Sequence, residues 1–154
     1  MIDSDALTPV QVGLRALARE EIDPAIIAFE AAVAERPNDA DRLAFLAAAL
    51  FAGRRGVESE AILERALTIS PGGFWPNLKA GEIRLRLGDQ VAAETLLLTA
   101  LRAAPHGSRE ATEAAALLAR TRMALTRSIS HHAVLPRWLR GRSRAPTLES
   151  GPGG

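Results

Sequence analysis

The chain has 154 residues, of which 47% are hydrophobic, and it carries 19 basic and 18 acidic side chains for a formal net charge of +1. This size is typical of one domain that buries its own core. The absence of cysteine excludes disulfides and thiolate metal sites, and the balanced charge disfavours a nucleic-acid platform, which needs a clustered positive face.

The start of the chain and its apolar runs predict a cytoplasmic protein. Residues 1–5 are acidic and lack the basic stretch and apolar run of a secretory signal. The longest apolar run, from Leu43 to Ala52, is far shorter than the roughly 20 residues of a membrane-spanning helix, so we expect a buried helix there. The Ala- and Arg-rich, lysine-poor composition suggests a bacterial source.

Helix signals begin near the N-terminus. Thr8 and Pro9, followed by Gln11, predict an N-cap, a proline in the first helical position and a capping box. Asp23 and Pro24 predict a second helix start of the same kind. Together with the apolar periodicity, these signals predict helices near residues 9–20, 24–36, 40–52, 57–69, 75–87 and 90–103.

Several positions recur every 34 residues. One set is proline and one is large and apolar: Pro37, Pro71 and Pro105, and Phe29, Leu63 and Leu97. Three further sets are small: Gly13, Ala47 and Gly81; Ala25, Ser59 and Ala93; Ala32, Ala66 and Ala100. Small residues let two antiparallel helices approach closely, the large residue fills the space between them, and the proline ends the second helix.

This order of residues resembles the tetratricopeptide repeat, over about Ala6 to Gly107. The resemblance implies an all-α fold of antiparallel helix hairpins, with repeats at about 6–39, 40–73 and 74–107, stacked as a short right-handed α-solenoid. With a capping helix at 108–127, residues 1–127 then form the repeat domain.

The match departs from the family in three places. Where the family has a tyrosine in each first helix, this chain has Ala16, Leu50 and Arg84. Where the family has a tryptophan in each first helix, this chain has Pro9, Leu43 and Asn77. The glycine between the two helices of a repeat survives only as Gly88. Because Gly53 and Gly56 flank the equivalent point in the second repeat, we expect a longer turn there.

A seventh helix is expected to cover the end of the stack. Ser108 is suited to cap its N-terminus. Five apolar residues are expected largely on its inner side: Ala111, Ala114, Ala115, Leu118 and Leu125. A terminal helix of a repeat stack needs a polar outer face, which Glu113, Arg120 and Arg127 would supply.

In tetratricopeptide stacks the first helices of successive repeats line a concave groove that binds a partner. Carried over to this chain, the partner-binding groove includes Leu14, Leu17, Phe45, Phe51, Trp75, Leu78, Lys79 and Arg86. This mostly apolar surface suits the nonpolar face of an amphipathic helix or peptide of another protein, and its basic residues would favour an acidic partner. The chain is therefore predicted to be a non-catalytic scaffold or adaptor.

Two features of this surface leave alternatives open. The helix near 40–52 is apolar nearly all round, which indicates burial on every side. Its cover is either the neighbouring repeats, or a bound partner, a second copy of the chain or its own tail. Trp75 is either a binding hot spot or a core-packing residue.

Residues 128–154 form a basic, Pro- and Gly-rich tail, with four arginines against Glu149, that we expect to be largely disordered. One segment in it has the spacing of a basic amphipathic helix: Leu135, Arg137, Trp138, Leu139 and Arg140. It could tether the chain to an anionic membrane or nucleic acid, dock in a groove, or serve only as a solubilising tail.

No pattern in the chain predicts an enzyme. It has no nucleophile beside a base, no paired carboxylates in a recognisable setting, and no phosphate loop, because Gly53–Gly56 lacks the following Lys-Ser/Thr. The adjacent His131 and His132 would point apart on a helix, so no metal and no cofactor are expected. A regulatory subunit of a separately encoded enzyme remains an alternative.

Overall fold

The structure, a computed structural model, describes residues 6–133, and within that range it is all-helical. The seven helices are α1 (Pro9–Ala18), α2 (Ile22–Glu35), α3 (Ala40–Ala52), α4 (Gly56–Ile69), α5 (Phe74–Arg86), α6 (Gln90–Ala103) and α7 (Arg109–Ala133). The first six lie close to their predicted bounds, whereas α7 continues past its predicted end at Arg127. None of the described helices is both long and apolar enough to cross a bilayer.

The helix bounds themselves repeat every 34 residues. The first helices of the three pairs end at Ala18, Ala52 and Arg86. The second helices begin at Ile22, Gly56 and Gln90 and end at Glu35, Ile69 and Ala103. The chain therefore builds the same hairpin three times, with a turn of equal length between the two helices of each.

Side-chain caps mark the predicted starts of α1 and α7. The backbone N–H of Gln11 donates to Thr8 Oγ1 at 3.3 Å, and the backbone N–H of Thr8 donates to Gln11 Oε1 at 2.9 Å, which confirms the capping box. Ser108 Oγ accepts the backbone N–H of Ala111 at 3.1 Å. These bonds satisfy backbone donors that have no partner within the helix.

The predicted start of α2 at Asp23 and Pro24 is wrong. This helix begins at Ile22 after Glu21, whose side chain makes no capping hydrogen bond. A proline is tolerated in the first turn because backbone N–H groups there have no intrahelical acceptor. The charge of Asp23 in that turn still favours the helix dipole.

The small and large residues of the 34-residue pattern meet as predicted. A Cβ added to Gly13 would lie 2.6 Å from Cε1 of Phe29, and one added to Gly81 would lie 2.7 Å from Cγ of Leu97. In the second hairpin, Ala47 and Leu63 belong to one buried cluster. The two helices of the first and third hairpins thus approach so closely that only glycine fits on the first helix.

Helix α3 lies at the centre of the fold. Eight of its residues are buried: Ala40, Leu43, Ala44, Phe45, Leu46, Ala47, Ala49 and Leu50. They pack against α2, α4 and α5, so neighbouring helices provide the cover that the apolar sequence requires. Packing between successive hairpins is not uniform, because α3 contacts the preceding hairpin mainly through α2, whereas α5 contacts the preceding hairpin mainly through α3.

The turn inside each hairpin contains one residue with a left-handed backbone. These residues are Glu20 (φ 60°), Arg54 (φ 61°) and Gly88 (φ 81°), each 34 positions after the last. The longer second turn expected from Gly53 and Gly56 is wrong, because Arg54 adopts the same conformation as the others. Only Gly88 avoids the steric cost of about 1–2 kcal/mol that a left-handed conformation imposes on a residue with a Cβ.

Helix α7 packs on α6 through an inner face of Ala114, Leu118 and Thr121, which are buried. Its exposed outer face includes Ala115, Ala116, Ala119 and Met123. The predicted inward position of Ala115 is therefore wrong. Arg120 and Arg127 are exposed, but they lie beside this apolar stripe rather than along its centre, and Glu113 is half-buried.

The contact between Gly81 and Leu97 predicts compensation between two substitutions. We expect Gly81→Ala to lower the free energy of unfolding by about 1–3 kcal/mol through overpacking, and Leu97→Ala to lower it by about 2–5 kcal/mol. The double variant should lose less than the sum, because the new methyl group enters the space that Leu97 leaves. Urea denaturation followed by circular dichroism measures all three, and additive losses would contradict the contact.

The left-handed turn at Gly88 predicts a backbone effect without a packing effect. A Cβ added there meets no atom within 4 Å, so Gly88→Ala should cost about 1 kcal/mol through φ alone. Gly72→Ala is the matched control, since its Cβ also meets no atom and its φ is not positive, and we expect a change within about 0.5 kcal/mol. Equal melting temperatures for the two variants would refute the turn conformation.

Candidate partner-binding face

The eight residues predicted to line a groove differ in how far the structure buries them. Leu78 and Phe45 belong to the core, with exposed fractions of 0% and 7%. Four residues are half-buried, namely Leu17, Phe51, Trp75 and Lys79, and two are exposed, namely Leu14 and Arg86. Leu78 and Phe45 therefore contact other helices rather than offering surface to a partner.

The burial of Phe45 and Leu78 follows from the approach of neighbouring helices. Phe45 stacks on Phe29 of α2, with ring centroids 5.7 Å apart. Leu78 lies in a cluster with Leu97 of α6 and Leu118 of α7. The sequence pattern assigned both residues to a groove, but the sides of α3 and α5 that carry them face these helices.

Trp75 packs within an aromatic cluster. Its ring lies 4.9 Å from the ring of Phe45 and 4.9 Å from that of Phe74. These contacts agree with the core-packing interpretation of Trp75, although the side chain remains half-buried. Its remaining surface lies where α5 begins.

Four residues of α5 form one stripe along the helix: Trp75, Lys79, Glu82 and Arg86, spaced by four, three and four positions. The Lys79 ammonium lies 5.6 Å from the Trp75 ring centroid and donates to Glu82 Oε2 at 2.9 Å. The Arg86 guanidinium lies 5.7 Å from the ring centroid of Phe51 on α3. The stripe thus joins α5 to α3 through a cation–π contact.

A cleft of about 420 Å³ continues this stripe toward α7. Its lining residues are Glu82, Leu85, Arg86, Leu117 and Arg120. We call the combined surface the α3–α5–α7 face, defined by Phe51, Trp75, Lys79, Glu82, Arg86, Leu117 and Arg120. The sequence pattern missed Leu117 and Arg120, because α7 was expected only to cover the end of the stack.

The cleft has an excess of positive charge. Glu82 is paired with Lys79, whereas neither Arg86 nor Arg120 forms an ion pair with any of the side chains described, those of residues 6–129. Arg84 differs from both, because it pairs with Glu60 of α4. Two guanidinium groups that form no ion pair therefore line the cleft together with Glu82, Leu85 and Leu117.

The α1 residues of the predicted groove belong to a helix that packs mainly on α2. Leu17 packs against the cluster that contains Phe29 and Phe45, against which Trp75 of the face also packs. Leu14 is 43% exposed.

The predicted tail segment, Leu135, Arg137, Trp138, Leu139 and Arg140, lies outside the described residues, as does most of the tail that it belongs to. Its docking stays a prediction. Among residues 6–129, whose side chains the structure describes, no group of three or more His, Asp or Glu side chains is arranged to hold a metal ion.

Comparison with known proteins finds no family model and no curated protein that matches this chain.

The core position of Phe45 predicts a large effect on stability. We expect Phe45→Ala to lower the free energy of unfolding by about 3–5 kcal/mol, because the truncation leaves a cavity between Phe29 and Trp75. Phe51→Ala is the comparison, and it should cost less because that ring is only half-buried. Chemical denaturation measures both, and a larger loss for Phe51→Ala would contradict this assignment.

Proposed function

We propose that the chain is a non-catalytic protein-binding scaffold of the tetratricopeptide type, a short right-handed α-solenoid that binds an acidic amphipathic segment of another protein on the α3–α5–α7 face. The recurrence of helix bounds every 34 residues supports the repeat architecture. The contacts of Gly13 with Phe29 and of Gly81 with Leu97 support it independently, since they use the small and large positions of the motif.

The observation that carries the binding proposal is that Arg86 and Arg120, two guanidinium groups without an ion pair, line one cleft. A guanidinium binds a carboxylate through two parallel hydrogen bonds. Leu85 and Leu117 line the same cleft, where they would contact an apolar side chain. A partner with Asp or Glu next to Leu or Phe on one helical face matches both features.

The remainder of the face supports binding rather than chemistry. The Lys79 ammonium is held by Glu82 and the Trp75 ring, and the Arg86 guanidinium lies over Phe51. These contacts reduce the freedom of two long side chains before a partner arrives, which lowers the entropy lost on binding. Arginine and aromatic residues with restricted rotamers are typical of binding hot spots.

The experiment uses two libraries of helical peptides, each with Leu and Phe at i, i+4 spacing, one carrying Glu and the other Lys at the flanking positions. We expect the purified full chain to select peptides from the Glu library. Measured by fluorescence anisotropy, the affinity for a selected peptide should fall about tenfold or more in Arg86→Glu and in Arg120→Glu, because repulsion replaces attraction. Binding should also weaken as salt increases.

The matched control is Arg102→Glu, which makes the same charge change at an exposed residue of α6 outside the face. Circular dichroism should show all three variants folded. Selection of Lys peptides, or equal loss of affinity in the control, would rule out the acidic-partner proposal.

A further inference from the structure

A second cleft, of about 620 Å³, lies between α4 and α6. Leu67 of α4 and Leu96 of α6 line it, and the buried Ala80 of α5 lies at its base. We call it the α4–α6 cleft. None of its lining residues belongs to the α3–α5–α7 face or to the cleft in that face, so the two surfaces can be altered one at a time.

The equivalent cleft between α2 and α4 is smaller, with a volume of about 260 Å³. Its lining residues Leu46 and Ile62 precede Ala80 and Leu96 by 34 positions. Helix α5 also packs less closely on α4 than α3 packs on α2. Alanine in place of leucine and this looser packing leave space in the α4–α6 cleft for a large apolar side chain.

The α4 side of this cleft carries two carboxylates. Glu60 is paired with Arg84, which also lines the cleft. Glu64 is exposed, and it forms no ion pair with the side chains of residues 6–129. The cleft therefore presents a free carboxylate beside an apolar wall, which complements a segment with an apolar side chain followed by a basic one.

An exposed valine of α6 lies between this cleft and α7. Glu94 accepts a hydrogen bond from Arg122 of α7 at 2.7 Å, and Ala92 lines the cleft. At 100° per residue, Val91 lies about 60° from Glu94 and about 100° from Ala92. It lies on the side of α6 opposite the buried Ala93. Because Val91 is 69% exposed, apolar surface connects α7 with the cleft.

The tail begins close enough to follow this surface. Helices α6 and α7 are antiparallel, so Ala133 lies 11 residues, or about 16 Å, beyond the contact of Arg122 with Glu94. Val91 lies about 4 Å beyond that contact in the same direction. With about 10 Å between neighbouring helix axes, Ala133 and Val91 are about 16 Å apart. Trp138 follows Ala133 by five residues, which span about 17 Å when extended, so it reaches the valine.

We propose that residues 135–144 of this chain bind across α6 and into the α4–α6 cleft. Trp138 then lies on the exposed valine, Leu139 enters the α6 side of the cleft, and Arg144 pairs with Glu64. The order along the tail is apolar and then basic. The order along the surface is apolar and then acidic, so the two match.

The spacing of the tail residues also fits the surface. Leu96 lies five residues, or about 8 Å, along α6 from Val91. Glu64 lines the same cleft as Leu96, about one helix spacing of 10 Å away, so it lies at most about 18 Å from the valine. Arg144 follows Trp138 by six residues, which span about 20 Å when extended. The guanidinium group therefore reaches the carboxylate.

The absence of cysteine from the chain allows a single nitroxide label in the tail of the full chain, introduced at Ser143→Cys. The label broadens the NMR signals of nearby backbone amides. We expect strong broadening at Thr68 and Ala92, which line the cleft, and none at Val12 of α1. Unbroadened signals at the cleft would overturn the proposal.

A mixed sample distinguishes the chain's own tail from that of a second copy. It contains isotope-labelled chain without the nitroxide and nitroxide-labelled chain without the isotope, so it reports only broadening between molecules. We expect none at Thr68 and Ala92. Broadening there would mean that the tail of another copy occupies the cleft, which would also overturn the proposal.

Matched charge variants locate the contact. Glu64→Arg should lower the ratio of bound to free tail about fivefold, because repulsion replaces an exposed ion pair, and adding Arg144→Glu should restore it. Glu30→Arg makes the same change at the equivalent residue of the smaller cleft and should leave the ratio unchanged. An equal loss in Glu30→Arg, or no recovery in the double variant, would show that the tail binds elsewhere.

Discussion

The close contact between the two helices of a hairpin sets the geometry on which the other features depend. Gly13 lies against the Phe29 ring and Gly81 against Leu97, at distances that admit no Cβ. Each contact holds a first helix so near its second helix that the remaining sides of the first helix must pack on other hairpins or face solvent. Helix α3 shows this effect most clearly, because it lies at the centre of the fold and has buried residues on nearly every side.

The candidate binding face consists of the helix surface that this packing does not bury. Helix α5 uses Gly81 and Leu78 to contact α6 and α7, and it packs mainly on α3 on another side. The stripe from Trp75 to Arg86 is the side that remains. Because α3 and α7 border it, Phe51 and Leu117 add apolar surface beside the charges. A face built from three helices is held more rigidly than a loop, which favours specific binding.

The turn after α5 and the equivalent point of α7 show how local sequence signals end a helix or let it continue. After α5, Gly88 adopts a left-handed conformation and Asp89 accepts the backbone N–H of Ala92, so a new helix starts. At the equivalent point of α7, Arg122 and Met123 supply neither a glycine nor a capping carboxylate, and the helix continues. Arg54 shows that a turn forms without glycine when the two helices that it joins pack together.

Periodicity predicted most of the local structure. The positions of six helices and the partners within each hairpin follow from spacing, because helix formation and small-to-large contacts involve residues near in sequence. Three features did not follow from the spacing of residues. They are the burial of Phe45 and Leu78, the presence of Leu117 and Arg120 in the cleft, and the outward position of Ala115. Each depends on which helices of different hairpins approach one another, and at what angle. That outcome is set by packing across the whole chain, since one residue pattern is compatible with several crossing geometries.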